Sequence, residues 1–396
     1  DGHITTGNII GTVIAICHGA VINIIYQVEQ IEIHASEAIT QHRAALREKL
    51  ANDAHKRWGG IGAYIQEEGA TLPIEASPYQ TGAIGPRQNL MELLHHSNRL
   101  LVLGEPGSGK TVALQRLAWE LCAPSETAVP VLIELFKYAG ASLAEVVLAG
   151  LRELNYLKLS LDSLDAFLQD AKTPHCIFLF DGLNEVAPAH RDRLVEQLTL
   201  WSKNYPQHAV ILTSRSQDQL WRRTRDEVEQ TVLIQPIHDE QARAYLVSHL
   251  EERGDAVYDS LNERLRILAR TPFLLWLIKE ASKENTQQLT NRADLYQNFV
   301  ERMLARRDWF TNKDSDSPTP PEATPQLLQT TLTHLAYYLG EKQVRACTRE
   351  EAIQAVAPWV KQQPAERVIA YCARAGLLAG EDPLWFAPHQ TIQEHF

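Results

Sequence analysis

The sequence predicts an α/β fold, a parallel sheet with helices on both faces, followed by a helical C-terminal part. Short apolar runs alternate with segments of helical periodicity between Arg87 and Gln235, a Gly-rich turn follows the first run, and beyond Gln235 the apolar pattern is helical only. With 396 residues, 44% of them apolar, the chain has core material for roughly two to four domains.

From the N-terminus, Ile4 to Val28 carries no Asp, Glu, Lys or Arg and is long enough to cross a membrane. Gly7, Asn8, Gly11, His18, Gly19 and Asn23 interrupt it, and its Ile and Val favour short strands with turns, so residues 1–30 are expected to be β-rich and a membrane span is not expected. The run also lacks the basic start of a signal peptide. Residues 31–85 are expected to be a helical and irregular linker region: Ala35, Ala38, Ile39, His42, Ala45, Leu46 and Leu50 recur at helical spacing, and Gly and Pro punctuate Trp58 to Pro86.

Residues 86–235 form the predicted sheet domain, with strands at Arg99–Leu103, Val129–Leu135, Cys176–Phe180, Ala209–Thr213 and Thr231–Ile234. A helical domain is expected at 236–290, with helices over Glu240–Leu250 and Leu261–Ala269, and a further domain at 291–396, where the Pro/Ser/Asp-rich stretch Thr311–Pro325 reads as an exposed loop between subdomains. Residue 1 is Asp and the chain stops at Phe396 in a helical pattern, so a piece of a longer protein is expected.

A net charge of -11 argues against a surface that coats nucleic acid. Cys17, Cys122, Cys176, Cys347 and Cys372 are scattered without a C-x-x-C pair, so reduced thiols and a cytoplasmic location are expected rather than a zinc ribbon or a disulfide framework.

The Gly-rich turn is Gly104-Glu105-Pro106-Gly107-Ser108-Gly109-Lys110-Thr111, a match to G-x-x-x-x-G-K-[ST] between a predicted strand and a predicted helix opening at Val112. In that setting the backbone N–H groups cradle phosphates, Lys110 reaches the β- and γ-phosphates, and the Thr111 hydroxyl ligates Mg²⁺. A second signal is Ile177-Phe178-Leu179-Phe180-Asp181-Gly182-Leu183-Asn184-Glu185, where a buried strand delivers Asp181 to the sheet edge for Mg²⁺. Glu185 is either the base that polarises an attacking water or a solvated acid at a helix start. A third is Val210-Ile211-Leu212-Thr213-Ser214-Arg215: Arg215 either senses the γ-phosphate or pairs with a local acid. Arg222, Arg223 and Arg225 read as a solvated face.

GEPGSGKT, IFLFDGLNEV and ILTSR, in that order, resemble the NACHT clade of the STAND class of P-loop NTPases, over roughly residues 86–396. Gly182 after the aspartate fits that clade better than the related NB-ARC group, which has a second aspartate there. The resemblance implies that Pro272, in Thr271-Pro272-Phe273-Leu274-Leu275, packs on adenine. It also implies that 291–396 is a winged-helix domain whose His389, in Trp385-Phe386-Ala387-Pro388-His389-Gln390-Thr391-Ile392-Gln393-Glu394-His395-Phe396, contacts the β-phosphate of ADP. Asn291-Arg292-Ala293-Asp294-Leu295-Tyr296 is also typical of the group. Asn184 departs from the aspartate common in relatives, so slow hydrolysis is implied. On their own residues, Thr-Pro opens a helix with Pro272 in its first turn, and a lone histidine is usually a packing residue.

The resemblance thus implies an ATP/ADP switch with Mg²⁺ that hydrolyses ATP slowly. It would hold ADP when closed and self-oligomerise on exchange to signal in a defence or immunity-like pathway, with N-terminal effector and C-terminal sensor regions outside this sequence. A steadily hydrolysing AAA-like motor or a P-loop kinase is the alternative from the P-loop itself. A GTPase is a third, weakened because Asn312-Lys313-Asp314-Ser315 lacks the last aspartate of N-K-x-D.

Overall fold

A computed structural model describes residues 38–51, 74–80, 83–152, 160–170, 173–218, 220–224, 228–283, 290–305, 324–360, 363–387 and 389–396. The expectations for 1–30, for Cys17, for Arg225 and for the loop Thr311–Pro325 up to residue 323 lie outside them.

All five predicted strands form: β3 (Arg99–Gly104), β4 (Val129–Glu134), β5 (Cys176–Asp181), β6 (Ala209–Arg215) and β7 (Gln230–Ile234). They are mutually parallel in the order β7-β3-β6-β5-β4. Their side chains alternate between two apolar layers, as the two-residue period of a strand requires. Leu101, Leu103, Phe178, Phe180, Val210 and Leu212 pack on one face with Trp201 and Leu194, while Leu100, Val102, Ile177, Leu179 and Ile211 pack on the other with Leu114 and Leu117.

The stretch read as linker corrects the expected all-parallel sheet. Ala76–Gln80 (β1) and Ala83–Ile84 (β2) extend it on the β7 side, and β1 runs antiparallel to β7, with Ala76 opposite Ile234. The strand was concealed because Pro78 interrupts it. A proline brings no N–H to a ladder, and it removes the composition signal for a strand. A helix over 38–51 places Ile39 in the first apolar layer and Leu46 and Leu50 in the second.

Beyond Gln235 come the helices α7 (Asp239–Leu250), α8 (Arg253–Ser260), α9 (Glu263–Ala269), α10 (Pro272–Ser282), α11 (Arg292–Ala305) and α12 (Pro325–Glu341). They are followed by β8 (Ala346–Cys347), α13 (Arg349–Val356), α14 (Ala365–Arg374), β9 (Leu378–Ala379), β10 (Leu384–Phe386) and α15 (Gln390–His395). The apolar runs here read as helical only; within 291–396 the structure adds a small antiparallel sheet in the order β8-β10-β9. Its two- and three-residue strands are too short to show a two-residue period. One apolar cluster runs from Ile237 to Ile392 through both expected helical domains. No helix among the described residues is long and apolar enough to cross a membrane, and Cys122, Cys176, Cys347 and Cys372 are free and buried.

Candidate functional site

The register of the parallel strands brings the three sequence signals together. Gly104 at the end of β3 lies opposite Arg215 at the end of β6, and Asp181 at the end of β5 lies opposite Glu134. All three signals therefore emerge at the C-terminal edge of the sheet, where open α/β sheets bind ligands.

Glu105, Pro106, Gly107 and Ser108 turn the chain after Gly104, and the helix Lys110–Leu121 (α3) carries Lys110, Thr111 and Val112 in its first turn. Gly109 caps this helix in the left-handed region at φ 95°, and a Cβ there would lie 2.4 Å from Ile74 Cδ1. Only glycine meets both demands at that point. Lys110 Nζ donates to the carbonyls of Gly104 (2.9 Å) and Glu105 (3.1 Å). Burial pushes its pKa down to about 8, against the pull of Asp181 and Glu185 and with a further push from Arg215. The Glu105 carboxylate accepts from Ser216 Oγ (2.5 Å) and Gln217 Nε2 (3.1 Å), which ties the loop to the segment after β6.

Asp181 is buried and doubly held: Thr111 Oγ1 donates to its Oδ2 (2.7 Å) and Thr213 Oγ1 to its Oδ1 (2.6 Å). Thr213 Oγ1 in turn accepts from the Gly182 N–H (2.8 Å). A carboxylate and a hydroxyl in contact beside a phosphate loop are a donor set suited to Mg²⁺, which keeps several waters and takes few protein ligands. Gly182 has φ 84°, and a Cβ on it would lie 2.9 Å from the Glu185 carboxylate, which is why a small residue follows Asp181.

Glu185 is not the solvated acid of the simpler reading. It closes the 3-10 turn Leu183–Glu185, is largely buried, and forms an ion pair with Arg345. Burial pushes its pKa up, opposed by Arg345. Arg345 also lies over the Phe136 ring at 4.5 Å, and its buried Nε has no hydrogen-bond partner among the described residues. Asn184 uses its side-chain carbonyl to accept from the Arg215 N–H (3.0 Å), which fixes where the Arg215 side chain starts. The Arg215 guanidinium donates to Gln390 Oε1 (2.7 Å) and pairs with Glu394 Oε1 (2.5 Å). Arg222 and Arg223 are exposed, and Arg223 pairs with Asp192, as expected of a solvated face.

Pro272 does open a helix, as its Thr-Pro context predicts, and that helix abuts the phosphate loop. The Phe273 N–H donates to the Gly107 carbonyl (3.3 Å), and Pro272 Cγ comes within 3.6 Å of where a Gly109 Cβ would stand. His389 stacks on Phe273 with ring centroids 4.7 Å apart. Its Nδ1 accepts from the Thr391 N–H (3.1 Å), which assigns the ring proton to Nε2. Its enclosure, then Arg345, Lys110, Arg215 and Arg292, hold its pKa well below the usual histidine range, so the ring is neutral.

Residues 100–236 match the model of the ATPase family associated with various cellular activities (AAA). This segment is a P-loop ATPase domain. No curated protein matches the sequence. Three solved structures resemble it loosely: a Drosophila ORC structure bound to DNA (14% identity, 77% of this chain and 82% of that chain, TM-score 0.34), Cdc6p from Pyrobaculum aerophilum (16%, 78% and 91%, 0.32), and a Walker-type ATPase of Pyrococcus abyssi (15%, 78% and 93%, 0.37). At that identity and superposition the likeness carries no ligand or partner over to this chain.

Sequence reasoning missed Arg345, Gln390 and Glu394 as partners of the ATPase domain. Gln390 and Glu394 stand four apart on one short helix, a spacing that puts them on one face and was readable. Arg345 had no signal: it is a single arginine between a helix and a two-residue strand.

Proposed function

We propose that the protein is a nucleotide-dependent switch of the NACHT/STAND type, in which the C-terminal region closes over an ATP/ADP site on the P-loop ATPase domain. The observation that carries it is the convergence of C-terminal residues on the phosphate end of the sheet: Phe273 on Gly107, His389 on Phe273, Arg345 on Glu185, and Gln390 and Glu394 on Arg215. In this proposal residues 236–290 are the helical domain. Residues 291–396 are the winged helix, with β8, β9 and β10 as its small sheet.

Lys110 and the loop N–H groups would hold the phosphates, Thr111 and Asp181 would hold Mg²⁺, and Pro272, beside the loop at Gly109, is the residue proposed to pack on adenine. Mg²⁺ supplies charge neutralisation between the phosphates when bound. Glu185 is the proposed base and Arg215 the proposed γ-phosphate contact. Neutral His389 offers an Nε2–H donor without adding a charge to a cluster that already holds Lys110, Arg215 and Arg345. Because Glu185 and Arg215 are both engaged by the C-terminal region, hydrolysis in the closed form is expected to be slow.

Denaturing freshly purified protein and identifying the released nucleotide by chromatography tests this. ADP is expected, and His389→Ala is expected to weaken ADP binding about tenfold, the loss of one hydrogen bond to a charged group. Unchanged ADP affinity in that variant would sink the proposed closure. The match of 100–236 to the AAA family favours a second reading, a steadily hydrolysing ATPase, which would show continuous turnover in isolation and no retained ADP.

A further inference from the structure

Two side chains nominated to act on the γ-phosphate are each paired with an opposite charge, and both opposite charges come from the C-terminal region. Arg345 pairs with Glu185 and Glu394 pairs with Arg215. The two arms are mechanically joined on the ATPase side, because Asn184, next to Glu185, holds the Arg215 backbone N–H. Building on the switch proposed above, we infer that these pairs form a charge-reciprocal latch that distinguishes ATP from ADP: Glu394 and the γ-phosphate compete for Arg215, while Arg345 separately restrains Glu185 in the chemical step.

The competition follows from the charges. A guanidinium held at its backbone by Asn184 and at its tip by Gln390 and Glu394 has little freedom to serve a second anion without giving up the first. ADP brings no γ-phosphate, so the Arg215–Glu394 pair survives its binding. ATP brings an anion to Arg215, and if the latch stayed shut the Glu394 carboxylate would stand beside it, a like-charge approach only a few ångströms long. The closed C-terminal region is therefore an ADP-selective state, and by linkage whatever ATP binding does to closure, closure does to ATP affinity by the same factor. The Glu185 arm works on the chemical step instead. A carboxylate paired with a guanidinium is a weaker base, and its lone pairs point at Arg345 rather than at a water.

The two arms separate in kinetics. Glu394→Gln is nearly isosteric and leaves the Gln390 hydrogen bond to Arg215 in place. Binding of Mg·ADP and of a non-hydrolysable Mg·ATP analogue would be measured calorimetrically on the full chain for wild type, Glu394→Gln and Lys110→Ala. We expect Glu394→Gln to raise the analogue-to-ADP affinity ratio about tenfold, a common size for coupling between sites. In steady-state ATP hydrolysis, Glu394→Gln should lower KM with little change in kcat, whereas Arg345→Gln should raise kcat several-fold with little change in KM. Arg345→Lys, which keeps a cation, should return kcat towards wild type.

If Glu394→Gln leaves the analogue-to-ADP affinity ratio unchanged while Lys110→Ala still abolishes binding, the latch is wrong and the nucleotide site stands. If wild type binds neither nucleotide, or Lys110→Ala binds as wild type does, the nucleotide reading itself fails and the latch with it. A fall in kcat for Arg345→Gln, with its melting temperature preserved, would overturn the Glu185 arm.

Discussion

The phosphate end of the ATPase domain and the C-terminal face that meets it satisfy their charges in opposite ways. Lys110 is held by two carbonyls of its own loop, and Asp181 by two threonine hydroxyls from α3 and β6. All of these partners are neutral and belong to the same domain. Glu185 and Arg215, a few residues further along the same strands' ends, are instead held by the charged Arg345 and Glu394 from the C-terminal region. Groups that would grip the phosphate tail are thus organised by short connections at the sheet edge, while groups that would act on a γ-phosphate depend on a region that must fold and dock separately. Binding and turnover are expected to be separable in this molecule for that reason.

Glu185→Gln gives the sharpest break. Loss of the proposed base should lower hydrolysis by about 10³-fold, while Lys110, Thr111 and Asp181 continue to hold nucleotide, as read by phosphate release and by calorimetry. Equal loss of binding and turnover would erase the distinction between the two regions.

The next effect tests how the C-terminal region tolerates its charges. Lys279 is almost wholly buried and pairs with Glu280 at 2.9 Å, which also accepts Lys283 at 2.8 Å. Burial pushes the Lys279 pKa down, and Glu280 opposes it. Glu280→Ala should cost about 3 kcal/mol by stranding that ammonium, whereas Lys279→Met should be neutral or stabilising, as read by urea denaturation. Similar losses in both variants would mean that the pair, rather than the burden of a lone charge, matters.

The smallest effect is a fraction of a proton. With Lys110 pushed down to about 8 in the nucleotide-free protein and its ordinary value 10.5, the unfolded chain binds more protons between those values, so this group's contribution to stability rises as pH rises across that window. A phosphate beside Lys110 restores its charge, so nucleotide binding should take up a proton near pH 9 and almost none near pH 6.5. Calorimetry in buffers of different ionisation enthalpy reads this directly, and uptake that does not grow with pH would show that Lys110 is not the phosphate contact.

Much of the ATPase domain was legible because its signals are local and periodic. Each β-strand from Arg99 to Ile234 contains a short apolar run, and G-x-x-x-x-G-K-T owes its residues to one tight turn. β1 was not legible, since Pro78 hides it and only its pairing with β7 defines it. The second role of Asn184, as an acceptor for the Arg215 N–H rather than a missing carboxylate, also needed the register of β5 beside β6.

By itself the sequence determined the strand-loop-helix order, the phosphate loop, the acid at the end of β5 and the arginine at the end of β6, because each is written in a few consecutive residues. Only the tertiary structure decided what Glu185 and Arg215 touch. Their partners lie 160 and 179 residues away, and an ion pair between distant segments leaves no periodicity or spacing in the chain; it exists only once two separately built cores have docked.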